Sequence, residues 1–201
     1  MLLLLAVLMH YLKGDDTGIY YIDSTKLAIC HNKRTSSNRV FNRISKIGKS
    51  SYGWFLGFKL YIIINNKGEI MSVKITKSNK SYLSVASIIS KVLSDKLFGD
   101  KAYISKSLFH QLFFNDLRLF TNLRKDMQTY LLDIDDKLLL NKRSLIESVF
   151  NVLKKHMHLE HTRHRSPINF FVHIISSLAS YSISKLNPYI ISSSFSSFNL
   201  S

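Results

Sequence analysis

Residues 54–79 read WFLGFKLYIIINNKGEIMSVKITKSN, and the fold turns on this stretch. Two apolar, β-branched and aromatic runs flank Asn65-Asn66-Lys67-Gly68, a cluster of turn-forming residues, so the segment predicts a β-hairpin. Upstream, GIYYIDSTKLAI (Gly18 to Ile29) has the same β character after a glycine-containing turn, which predicts a strand preceding the hairpin. The polar, Ser/Lys/Arg/Asn-rich residues Asn32 to Ser51 between them predict a loop. Downstream the period changes. Leu83, Ala86, Ile89, Val92 and Leu93 recur at helical spacing, Lys96 to Gly99 form a short strand run ending on Asp100, and Ser105 is placed to cap a helix over SKSLFHQLFFND. LRLFTNL (Leu117 to Leu123) predicts a further strand, and KRSLIESVFNVLKK (Lys142 to Lys155) a helix after a polar linker. Three strands in hairpin order followed by strand–helix alternation imply an α/β fold. Its sheet is mixed and five-stranded, the first three strands antiparallel, with helices on both faces.

The chain has 201 residues, long enough for one domain with a substantial core, and its 46% hydrophobic content excludes a disordered chain. Lys and Arg number 28 against 13 Asp and Glu, for a net charge of +15. Between His31 and Lys80 stand eleven Lys/Arg and one acid, Glu69. Such a block attracts polyanions, nucleic acid first among them, although an anionic membrane surface has the same chemistry. A single cysteine, Cys30, rules out an internal disulfide framework and points to a reducing compartment. The opening MLLLLAVLM has no basic n-region and no small-x-small cleavage site, and it is too short for a bilayer, so a buried helix is the expectation. Ile168 to Ile183 predict an apolar helix docked on the domain, and the serine-rich residues from Asn187 a poorly ordered tail.

Asp23 and Asp100 each close an apolar strand run, and acids at the ends of neighbouring strands project to a common sheet edge. Arg143, Glu147 and Lys154 are offset by four and eleven residues, which places them within about 40° on one helical face. Three carboxylates without a His/Cys set favour hard, oxygen-ligated cations such as Mg²⁺. Two such ions about 4 Å apart can activate an attacking oxygen and stabilise a leaving one in phosphoryl transfer. Taken singly, Asp23 or Asp100 reads better as a plain strand-end charge; the joint order of strand Asp, strand Asp and helix Glu with its flanking cations carries the argument. Other clusters carry less. His156, His158, His161 and His164 fan over several helical faces with no cysteine partner. Asp133, Asp135 and Asp136 lack the glycine and final glutamate of a calcium loop. Trp54, Phe55, Phe58 and Tyr61 can stack bases, but strand alternation buries part of them.

The stretches IDSTKLAICHNKR, GWFLGFKL, NNKGEI, LFGDKAYIS, KRSLIESVFNVLK and EHTRHRSPINF together resemble the catalytic part of DDE transposases of bacterial insertion sequences, a family with a ribonuclease-H-like fold. The resemblance runs from about Gly18 to about Ile183, and the arginine–glutamate–lysine helix is its most specific part. It implies that Asp23, Asp100 and Glu147 are catalytic and bind two Mg²⁺ ions, for which Mn²⁺ can substitute. Arg143 and Lys154, with Lys33, Arg34, Arg163 and Arg165, would contact DNA phosphate. The implied partner is double-stranded DNA, transposon ends and target, held by a homodimer in the bacterial cytoplasm at the nucleoid, with no membrane association. The implied division is a helical remnant at 1–17, a catalytic domain at 18–165, the docked helix at 166–185 and a tail at 186–201. Leu140 occupies the position of the family's usual tyrosine, and only about seventeen residues precede the first catalytic strand, where the family carries a long helical region. A truncated copy is therefore expected, either active in strand cleavage and transfer or an inactive remnant that binds nucleic acid through its basic surface.

Overall fold

The computed structural model describes residues 2–186 apart from residues 32, 34, 37, 42, 51–52, 123–131 and 161–163. The chain begins with helix α1 (Leu2–Tyr11), then strands β1 (Ile19–His31), β2 (Lys46–Ser50), β3 (Gly53–Asn65) and β4 (Ile70–Lys77). Helix α2 (Tyr82–Ile89), β5 (Asp95–Gly99), a 3-10 turn at Lys101–Tyr103, α3 (Lys106–Phe113), β6 (Leu117–Thr121), α4 (Ile134–Asn141), α5 (Ser144–Lys155) and α6 (Pro167–Leu186) follow.

Long β3 organises the sheet. One of its edges pairs antiparallel with β1 from Tyr20↔Asn65 to His31↔Phe55. Its other edge is shared, β2 taking Gly53 to Gly57 and β4 taking Phe58 to Ile64. On the far side β1 pairs parallel with β5, and β5 parallel with β6. The first hairpin strands are antiparallel, as expected, but the sheet has six strands among the described residues instead of five. The additional strand is β2, inside the stretch read as loop. Its KIGKS sequence has no apolar alternation, and only the unfilled edge of β3 makes it a strand.

Alternation sorts the strands onto two cores. Tyr21, Leu27, Phe58, Leu60, Ile62, Ile64 and Phe98 face one side, where α5 contributes Ile146, Val149, Phe150 and Leu153 and α6 contributes Phe170, Ile174, Leu178 and Tyr181. Tyr20, Ile22, Tyr61, Ile63 and Leu97 face the other, against Val85, Ala86 and Ile89 of α2 and Leu108 and Leu112 of α3. Each such side chain, fully buried, contributes about 1.5–3 kcal/mol of apolar transfer energy. The Tyr181 hydroxyl donates to the Gly68 carbonyl oxygen at 2.6 Å, so α6 also grips the hairpin turn. The aromatic residues at the start of the hairpin divide: Phe55, Phe58 and Tyr61 are buried, while Trp54 is exposed.

The first helix differs from its expectation. Leu3 and Leu4 are 78% and 72% exposed, and α1 reaches the first core only through Met9. A helix apolar on all sides has no unique face to bury, and α1 packs against α6 while leaving much of its surface exposed. At α3 the cap forms as read: Ser105 Oγ accepts from the Leu108 amide at 3.4 Å. Ser105→Ala is expected to lower stability by about 1 kcal/mol, measured as a shift in urea midpoint with unchanged slope. The expected tail at 186–201 lies outside the described residues, save Leu186, which ends α6.

Candidate active site

β5 accompanies β1 over three residues only, with Tyr21 beside Phe98 the last pair. Two residues farther along each chain stand Asp23 and Asp100. The parallel register therefore sets the two acids level, where β5 ends and β1 continues alone. Asp23 closes the parallel pairing and not the strand, since β1 runs on to His31. Each carboxylate is fixed by the next amide: Asp23 Oδ1 accepts from Ser24 N at 2.7 Å, and Asp100 Oδ1 from Lys101 N at 2.7 Å. The second bond caps the 3-10 turn that carries Tyr103 back into the core.

Helix α5 crosses the Asp23 face of the sheet. Its buried residues Ile146, Val149, Phe150 and Leu153 fall at the i, i+3, i+4, i+7 positions of one stripe. Glu147 and Lys154 flank that stripe, and Arg143 stands at the helix start in helical backbone conformation, so the expected i, i+4 geometry forms. Arg143 Nη2 donates to Glu147 Oε1 at 2.9 Å, and Nη1 lies 3.7 Å from Asp23 Oδ2. One guanidinium thus bridges the strand acid and the helix acid.

The electrostatics agree with this convergence. Burial pushes the Asp23 carboxyl up to about 6 from its ordinary 3.8; Asp100 and Glu147 add to the rise, while the Ser24 amide and the Arg143 charge oppose it. Like charges close together favour protonation or a cation between them. Tyr103, three residues after Asp100, is fully buried, and its hydroxyl finds no hydrogen-bond partner among the described residues. Burial, then the negative charge of Asp23 and other neighbours, raises its phenol well above the usual range. Sequence reasoning overlooked Tyr103. Its signal was local, since a strand acid three residues before a tyrosine returns that side chain to the sheet when a 3-10 turn intervenes.

Asp23, Asp100 and Glu147 offer an all-oxygen donor set, and the raised Asp23 carboxyl is the response of a buried acid that lacks a sufficient countercharge. The residues thus fit a hard divalent cation. Among the described residues no three His, Cys, Asp or Glu side chains stand close enough to hold a metal ion as arranged. At α5 the Glu147 carboxylate is turned to Arg143.

The remaining expected contacts are scattered. Lys154 lines a cleft beside Ser24 and pairs with Glu160 at 2.9 Å. Lys33 and Arg165 are exposed, one after β1 and the other before α6. Arg34 and Arg163 lie outside the described residues, as does His161. Leu140, at the place of the family's tyrosine, is buried in the first core and cannot stand in for a polar contact. Of Asp133, Asp135 and Asp136, the last pairs with Lys96 at 2.5 Å and is 13% exposed at its side chain.

The profile of the family described as Transposase DDE domain matches residues 13–167, an interval that holds Asp23, Asp100 and Glu147. Among solved structures, the chain is similar to a piggyBac transposase determined by cryo-EM in a synaptic complex with hairpin DNA. The TM-score is 0.63 at 8% identity, over 92% of this chain and 50% of that one. The fold is therefore the ribonuclease-H-like fold of transposases, and the chain spans about half the length of that relative. A weaker likeness is to the simian T-cell lymphotropic virus intasome in complex with PP2A regulatory subunit B56 gamma, with a TM-score of 0.46 at 14% identity over 86% of this chain and 49% of that one. No curated protein sequence matches the chain. A match over residues 13–167, on a fold shared with a transposase, establishes kinship: the chain belongs to the DDE transposase domain family.

Proposed function

We propose that this domain cleaves and joins DNA strands at the ends of an insertion sequence by divalent-metal phosphoryl transfer, with Asp23, Asp100 and Glu147 as its catalytic carboxylates. The observation that carries the proposal is the parallel register of β1 and β5, which sets Asp23 level with Asp100, under a helix whose Glu147 acts electrostatically on Asp23.

The three carboxylates would hold Mg²⁺, or Mn²⁺ in its place. When bound, such ions neutralise phosphate charge and lower the pKa of an attacking water or hydroxyl. The chain's own residues prepare the place. The Ser24 and Lys101 amides orient one oxygen of each aspartate. Arg143 compensates Asp23 and Glu147 in the free protein, and its five-donor fork suits a phosphate oxygen once Glu147 is released. The core beneath Asp23, with Tyr21, Ile62 and Phe98, keeps water from one side of the carboxylate. Double-stranded DNA is the substrate and a homodimer the working form.

Nicking of supercoiled DNA with Mg²⁺ tests the proposal. Wild type is expected to nick, and Asp23→Ala, Asp100→Ala and Glu147→Ala each to lose at least about 10³-fold while keeping a cooperative melt. Retained nicking in any one of the three sinks the assignment of that residue. A second reading, an inactive domain that only binds nucleic acid, is favoured by the buried apolar Leu140 at the family's tyrosine position. Binding by wild type without nicking in either Mg²⁺ or Mn²⁺ selects it.

A further inference from the structure

A cleft of about 260 Å³ includes Ser24 and Thr25, the residues that follow Asp23. Four lysines line it: Lys26 of β1, Lys49 of β2, Lys59 of β3 and Lys154 of α5. No acidic side chain is among its lining residues. We propose that this cleft binds the backbone phosphates of the DNA strand adjoining the scissile position, without reading its bases. The proposal rests on the strand-cleaving reading above, and what it adds is a track defined by Lys26, Lys49 and Lys59.

The first argument is the register. Lys26 and Lys59 are direct cross-strand partners in the β1–β3 ladder. Like charges placed opposite one another repel, and an anion bound between the two ammonium groups is attracted by both. The second argument is how these cations are held. Lys59 Nζ lies 4.2 Å from the centroid of the Tyr82 ring, and Lys49 Nζ 5.8 Å from that of Trp54. An aromatic face orients an ammonium group without neutralising it, which leaves the charge available to a ligand. Lys154 pairs with Glu160, and that pair is at the surface, where a competing phosphate exchanges it at little cost.

The third argument is position. β1 passes beyond the end of β5 after Asp23, so residues 24–26 border the cleft directly after the strand acid. Alternation puts Lys26 on the sheet face opposite Asp23, so a phosphodiester chain reaches the lysines by passing the Ser24 and Thr25 hydroxyls around the edge of β1 that β5 leaves unpaired. Hydroxyls and ammonium groups are the donors that position a nucleic-acid backbone, and they carry no base code. The larger groove between α3 and β6 is mainly apolar and sets Lys106 and Arg118 against Asp133 and Asp136, so it lacks the uniform positive lining of the cleft.

The test is the binding of fluorescein-labelled 30-mer duplexes of two unrelated sequences to the full chain, with Ca²⁺ in place of Mg²⁺, across a potassium chloride titration. Lys49→Gln and Lys59→Gln are each expected to reduce the slope of log affinity against log salt by about 0.9. Affinity at low salt should drop by about 3- to 10-fold, equally for both sequences. Lys59→Arg should retain the slope, which separates charge from folding, and Lys185→Gln, remote from the cleft, should leave it unchanged. An unaltered slope in the Lys49→Gln/Lys59→Gln double variant, with a native melt, overturns the cleft. So does a loss confined to one sequence. If that double variant binds like wild type while Asp100→Ala still loses nicking, the cleft falls and the catalytic reading stands. If wild type shows the cleft-dependent slope yet nicks no DNA, the cleft stands and the catalytic reading falls.

Discussion

Asp23→Asn is expected to abolish nicking and, in the same protein, to raise stability at pH 7.5 by about 1–3 kcal/mol. Both effects follow from one property. The folded Asp23 carboxyl titrates at about 6 against an ordinary 3.8, so the native state holds its proton more tightly than the unfolded chain. Below pH 3.8 both states are protonated and no cost is felt. Between pH 3.8 and 6 the unfolded chain releases its proton first, and stability falls as pH rises. Above pH 6 the full cost persists, about 3 kcal/mol from a shift of roughly two units at 1.36 kcal/mol each. Asparagine removes the buried charge and keeps an oxygen for the Ser24 amide, but it gives up the Arg143 contact, which lowers the net gain.

The measurement is thermal melting from pH 4 to 8. Wild type should lose melting temperature across pH 4–6, and Asp23→Asn should be flatter and about 3–10 °C higher at pH 7.5. Adding Mg²⁺ should raise the wild-type melt at pH 7.5, where the carboxylates are ionised, and leave Asp23→Asn nearly unmoved. Parallel pH profiles for the two proteins contradict the account. A catalytic acid whose removal stabilises the fold is the usual trade between function and stability.

Gly57→Ala is expected to cost at least 3 kcal/mol and to leave little folded protein at 37 °C. A Cβ at this position would stand 2.2 Å from the Leu27 carbonyl oxygen and 3.1 Å from its carbon. Those atoms are backbone, and no rotamer change relieves the overlap. Gly57 is also where three partners meet on β3: it pairs with Ala28 of β1 beside a bulge, with Lys46 of β2, and through its carbonyl with the Ser78 amide at 3.3 Å. Displacing β3 there strains the pairing to β1, β2 and the end of β4 together. Gly53→Ala is the control. Its φ is +109 but nothing lies within 4 Å of the added methyl, so only backbone strain of about 1–2 kcal/mol is expected. Urea denaturation of the two variants separates the causes; equal losses would remove the steric argument.

Much of the site was legible because its pieces are local. Arg143 and Glu147 sit four residues apart, and any helix through them forms their contact. Asp23 and Asp100 follow apolar strand runs, and runs of β-branched and aromatic residues declare themselves without knowledge of neighbours. The role of Lys154 was less accessible. Its helical offset aligned it with Arg143, but its partner, Glu160, lies beyond the helix, and the lysines with which it shares a cleft lie on three strands far away in sequence. β2 escaped notice for a related reason. KIGKS has no strand signature, and it becomes a strand because β4 leaves the first five residues of β3 unpaired.

By itself the sequence determined the order of elements apart from β2 and α4, the hairpin at Asn65 to Gly68, the two apolar faces of β1 and β3, and the candidate acids with their accompanying cations. These depend on spacing within single segments, where periods of two and 3.6 residues map directly onto faces. Only the tertiary structure decided that Asp23 and Asp100 stand level, that Arg143 also reaches Asp23, that Lys26 faces Lys59, and that Gly57 admits no Cβ. Each of these is set by register between strands or by the approach of a helix to a sheet. Pairing of residues tens of positions apart follows from how all the faces are buried together, and no local pattern contains it.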